Sequence, residues 1–106
     1  MAELITGVAE FRADEAWDGP TIARIGDADA MLIWADRPYH WHVNKTDELF
    51  CVVNGRVYMH YRSGGEENRR WLETGDMIVV RQGEEHVAYP EGEARFLIVA
   101  APAEQG

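Results

Sequence analysis

HWHVNKTDELFCVVNG, residues 40–55, carries two histidines, an asparagine, an aspartate and a glutamate within nine residues, then runs into the apolar stretch LFCVV. Alternate residues of a strand share a face. An extended chain here therefore puts His40, His42 and Asn44 together, with Tyr39, Trp41 and Val43 opposite. Residues 45–47 read as a turn, and 48–53 as the next strand. Asn54-Gly55 reads as a hairpin turn, because both residues tolerate the positive φ of type I′. A bound metal needs several lone-pair donors converging on one point, and Glu48 could reach the histidines from the neighbouring strand. Two imidazoles and a carboxylate are common donors for iron, manganese, zinc or nickel. A His-x-His pair by itself is a weak signal, and this one needs a further donor from elsewhere in the chain.

On both sides of this stretch the chain consists of short apolar runs punctuated by Gly, Asp, Pro and Asn. Residues 3–11 (ELITGVAEF) read as a first strand. Residues 13–20 are turn-rich, with Trp17 folded back on the body. Further strands are expected at 21–25, 30–35 (AMLIWA, buried on both faces), 56–62, 69–73, 77–80, 86–89 and 94–100. In 56–62 the set Val57, Met59 and Tyr61 faces the core, and Arg56, Tyr58, His60 and Arg62 face solvent. Eight to ten strands without a helical stripe leave an all-β, antiparallel barrel or sandwich.

Length and composition bound the rest. A chain of 106 residues is read as one domain, long enough to bury a core without disulfides. Cys51, the only cysteine, reads as a small core hydrophobe and fits a cytoplasmic setting. No apolar run exceeds six residues and no basic-apolar leader opens the chain, so no membrane partner is expected. Nineteen acidic residues against ten basic give a formal charge of −9, which repels phosphate backbones and argues against nucleic acid. Asp47 reads as a turn residue bonding its own backbone.

Two spaced motifs then resemble the cupin family. Its first motif has the form G-x5-HxH-x3,4-E-x6-G, and its second the form G-x5-PxG-x2-H-x3-N. Here Glu48 precedes Gly55 by the required six intervening residues, and Gly75 leads through Arg81-Gln82-Gly83 to His86. The sequence departs from the pattern at the missing first glycine, at Arg81 in place of proline and at Pro90 in place of asparagine. The histidine pair can be framed in two ways. With three residues before Glu48 the pair is His42 and Asn44; with His40 and His42, five residues intervene. The first frame is preferred, from the look of Trp41-His42 and Thr46-Asp47-Glu48, and His40 remains the alternative.

The resemblance implies an antiparallel jelly-roll β-barrel. It implies one cupin domain over residues 1–106, with a barrel core at about 20–101 and a frayed tail at 102–106. It also implies one divalent transition metal (iron, manganese, zinc or nickel) held by His42, Glu48 and His86 and completed by Asn44 or His40. A small polar organic ligand and a homodimer are expected on the same ground. Oxygenase- or isomerase-type chemistry is the first functional reading. A non-catalytic binding or sensing cupin, or a metal-free barrel serving protein association, is the alternative. The sequence singles out no catalytic residue apart from the ligands.

Overall fold

The computed structural model describes residues 1–101; the frayed tail expected at 102–106 lies outside the described residues. Nine strands follow a short 3-10 turn at Val8–Glu10: β1 (Thr21–Ile25), β2 (Ala28–Ala35), β3 (His42–Val43), β4 (Glu48–Asn54), β5 (Val57–Ser63), β6 (Glu66–Leu72), β7 (Met77–Val80), β8 (Glu85–Pro90) and β9 (Ala94–Ala100). They form two antiparallel sheets, ordered β1-β2-β9-β4-β7 and β3-β8-β5-β6. This is an antiparallel jelly-roll β-barrel. Only the β1–β2 and β5–β6 connections stay within a sheet, and every other connection crosses to the opposite one.

The structure corrects two expectations. Asn54-Gly55 is not a hairpin turn, because β4 and β5 lie in different sheets. Gly55 turns the corner at φ 100, and a Cβ there would sit 2.9 Å from the Glu93 carbonyl oxygen. Close approach of two backbones, as much as the dihedral, therefore demands glycine. The Thr74 hydroxyl holds the corner by accepting from Gly55 N and donating to Gly55 O. The two-residue hairpin with consecutive positive φ values is Gly64-Gly65, at 61 and 81, which joins β5 to β6. The second correction is at residues 3–11, which form no strand. Leu4 and Ile5 are exposed there, and only Val8–Glu10 is regular.

The core lies between the sheets and follows the period-two rule. Phe50 and Val52 on β4, Ala94 and Phe96 on β9, and Val57 and Met59 on β5 are all essentially fully buried. Phe50 and Phe96 pack at 4.7 Å between ring centres. Burying such rings accounts for a large share of the hydrophobic stabilisation. Ile33, Ala35, Leu72 and Ala88 complete the cluster, which closes the barrel below the site.

Candidate functional site

Three of the five residues singled out from the sequence meet inside the barrel. His42 on β3 and His86 on β8 are direct cross-strand partners in the four-stranded sheet. Their ring centres are 4.2 Å apart. Glu48 does not come from the strand beside His42. It starts β4 in the opposite sheet and reaches across the interior, with Oε2 3.3 Å from His86 Nε2. That separation is within ion-pair range, yet it does not have the geometry of a hydrogen bond. Glu48 Oε2 and His86 Nδ1 are both buried without a partner. Unpaired buried polar atoms of this kind are uncommon, and a further group bound between them is one explanation.

His42 Nδ1 lies 3.1 Å from the His40 carbonyl oxygen. A carbonyl only accepts, so Nδ1 carries the proton and Nε2 keeps its lone pair. Burial lowers the pKa of His42 first. The His40 carbonyl opposes that shift, His86 adds to it and Glu48 works against it. The net direction favours the neutral imidazole, the form that can ligate.

The other two residues are placed differently. Asn44 is buried at 6 % exposure, and its amide Nδ2 points to the Val80 carbonyl at 3.5 Å. Its backbone pairs with the Glu84 carbonyl and the Gly83 N–H, extending the β3–β8 ladder. His40 is exposed and stacks on Tyr39 at 4.1 Å. Neither Asn44 nor His40 lines the inner cavity that His42, Glu48 and His86 share; both line the wider outer cleft beside it. Strict alternation fails because the regular strand spans only His42–Val43. Tyr39, assigned to the opposite face, therefore joins His42 in the cavity wall, edge-on at 5.1 Å.

Two supporting residues were not recognised from the sequence. Asp47 does not bond its own backbone. It accepts from Gln82 N at 2.9 Å and from Arg81 Nη1 at 3.3 Å. Those bonds, the one from Gln82 first, lower its pKa and tie the loop before Glu48 to the turn before His86. Trp17 also lines the cavity, stacked on Phe96 at 5.2 Å. The cavity encloses about 240 Å³.

The donor set of two imidazoles and a carboxylate, with one carboxylate oxygen unpaired, fits a divalent transition metal. Among the described residues, however, no three His, Cys, Asp or Glu side chains stand at metal-coordinating positions. Accommodating an ion requires the Glu48 and histidine side chains to adjust from the arrangement seen here.

No protein-family model matches the chain, and no curated protein matches it in sequence. Solved structures do match. A cupin-2 domain protein from Shewanella frigidimarina is 25% identical, with a TM-score of 0.75 over 85% of each chain. A cupin-superfamily protein from Desulfitobacterium hafniense is 12% identical, with a TM-score of 0.76 over 95% of this chain and 92% of that one. Hydroquinone 1,2-dioxygenase from a Sphingomonas species, solved with 4-hydroxybenzoate bound, is 17% identical with a TM-score of 0.75. The match covers 85% of this chain and 29% of that one.

Proposed function

We propose, from the premise that the chain is a small cupin domain, that it holds one divalent transition metal through His42, Glu48 and His86 and presents it to a small organic ligand in the cavity. The observation that carries this reading is the meeting of two imidazoles and a carboxylate from opposite sheets, with Glu48 Oε2 buried and unpaired. Iron, manganese, zinc and nickel all suit such donors. A bound metal would polarise a ligand oxygen or activate water or dioxygen. Around it, His42 is held in its ligating tautomer by the His40 carbonyl, and Asp47 keeps the two ligand-bearing loops together. Asn44 braces the strand that carries His42, and His40 supplies its carbonyl rather than its ring.

Oxygenase- or isomerase-type chemistry is the enzymatic reading; the likeness to a dioxygenase, at 17% identity, extends to the fold alone. Non-catalytic binding is the second reading, favoured by the lack of coordinating geometry among the described residues. Titrating metal-free protein with cobalt(II) tests the core claim. Ligand-field bands saturating at one equivalent, and absent in Glu48→Gln, are expected; no bands in the unaltered protein would refute it.

The same proposal treats residues 1–106 as one domain acting as a homodimer in the cytoplasm. Two cross-strand rows on the outer face of the five-stranded sheet support the dimer: Leu32, Leu97, Cys51 and Met77, and beside them Ala30, Val99, Leu49 and Val79. Neither row contains a charge; Leu32 and Ala30 are already buried within the chain, and Met77 and Val79 at the other end of the rows are exposed. In a chain of charge −9 an uncharged apolar face best matches a second copy of itself.

A further inference from the structure

We propose that Trp17 makes the cavity a slot for a single planar ring, so that its ligand is a small aromatic compound with one polar head, a refinement that rests on His42, Glu48 and His86 forming the polar end. Trp17 is the one non-glycine residue with positive φ among the described residues, at 64. A bulky side chain in the left-handed region is a genuine outlier, kept only where its surroundings over-determine it. Those surroundings are specific. Trp17 N donates to the Trp34 carbonyl at 2.8 Å, and its indole Nε1 donates to the Arg37 carbonyl at 2.7 Å. The indole lies flat on Phe96, with an interplanar angle of 8°, and meets Tyr39 edge-on at 5.5 Å. Glycine would take this φ without strain. What the indole adds is a rigid aromatic wall with its one polar atom already satisfied.

The shape and chemistry of the cavity agree with that wall. The inner cavity, about 240 Å³, is of the size of one ring and opens onto the wider outer cleft, with which it shares Met31, Tyr39, His42 and Glu48. Phe50, Ile33 and Ile98 continue the apolar lining, while the hydrogen-bonding groups gather at His42, Glu48, His86 and the neighbouring Tyr39. A polyhydroxylated molecule would bury hydroxyls against carbon with no partner, which is costly. A ring with a single polar substituent leaves nothing unpaired. Aromatic walls favour a flat ring over a puckered one of equal size, since only the flat one stacks.

Calorimetric titration with phenol, cyclohexanol and glycerol, in metal-free and metal-loaded protein, tests this. Phenol is expected to bind about tenfold more tightly than cyclohexanol, with glycerol weakest. Trp17→Leu should remove the preference and Trp17→Phe should retain most of it. Trp17→Gly, which relieves the backbone, should lose the preference while staying folded. Cyclohexanol or glycerol binding as tightly as phenol in the unaltered protein would overturn the slot, whether or not any variant folds, as would absence of binding by all three. A phenol preference in protein that takes up no metal would sink the metal site and leave the slot standing.

Discussion

On the inner face of the four-stranded sheet, His42 and His86 stand 4.2 Å apart beside Tyr39 and opposite Glu48. On its outer face, His60 stands 4.8 Å from Tyr58 and 4.7 Å from Tyr89, with Trp41 and Trp71 close by. Both faces therefore set imidazole among aromatic rings, and both leave a buried imidazole nitrogen unpaired, His86 Nδ1 inside and His60 Nε2 outside. What differs is what lies across from them. The inner face looks onto a second sheet that supplies a carboxylate. The outer face looks onto solvent, and its cations are already engaged. Arg56 lies 3.8 Å over Trp71 and pairs with Glu73 and Glu91; Arg62 lies 4.3 Å over Trp41 and pairs with Glu67 and Glu85. Exposed pairs of that kind contribute at most about 1 kcal/mol each. Imidazole and aromatic rings make a sheet face, and the facing strand makes one such face the candidate site.

Substitutions can break the comparison, the largest effect first. Removing an inner ligand by His86→Ala or Glu48→Gln should lower metal affinity by more than about 100-fold, beyond the effect of losing an outer-shell partner. His60→Ala on the outer face should leave it unchanged, and an equal loss from His60→Ala, read by equilibrium dialysis, would erase the distinction. Next in size, Asn44→Ala should cost about 1–2 kcal/mol in urea unfolding, because it unmakes a buried amide contact. The exposed His40→Ala should stay within about 0.5 kcal/mol and keep its metal. Loss of metal in His40→Ala alone would shift the ligand frame to His40 and His42.

Asp47→Ala should weaken metal binding by about tenfold without removing it, since Asp47 aligns the ligand loops rather than touching the ion. An unchanged affinity would demote the clamp to a local loop contact. The smallest effect concerns pH, where the two faces should behave alike. Burial is the first cause lowering the pKa of both His42 and His60; at His60 the charge of Arg69 adds to it. With folded-state values below the ordinary imidazole value of about 6.5, metal-free protein binds fewer protons than the unfolded chain. The stabilisation is complete above that pH and is lost as pH falls through the lowered values. His42→Ala and His60→Ala should each flatten the decline in acid-range unfolding free energies; a steeper decline would mean the sign is reversed.

The strands were legible where alternation persists. ELFCVV, RVYMHYR and ARFLIVA all form strands, and the core set expected in RVYMHYR is borne out by the burial of Val57 and Met59, whereas Cys51, expected in the core, alternates onto the outer face. Which sheet a strand joins was not legible, because that depends on pairing between residues far apart in sequence. Asn54-Gly55 has the chemistry of a hairpin and makes a corner instead, as the opposing Glu93 backbone requires. The meeting of His42 with His86 followed from motif spacing, but the arrival of Glu48 from the opposite sheet did not. Tyr39 was misassigned because the period-two rule was applied to residues that form no regular strand. Trp17 was read as folded back on the body, which its packing on Phe96 bears out, but nothing in the sequence marked it as part of the site. Only the fold reveals its left-handed backbone and its place in the cavity wall.

Elemental analysis of the untagged protein, as isolated and after reconstitution with iron, manganese, zinc or nickel, tests the inner-face site most directly. One equivalent of a transition metal, lost in His86→Ala and kept in His60→Ala, is the predicted result. Substoichiometric metal in every preparation of the unaltered protein would contradict it and leave a binding barrel without a metal.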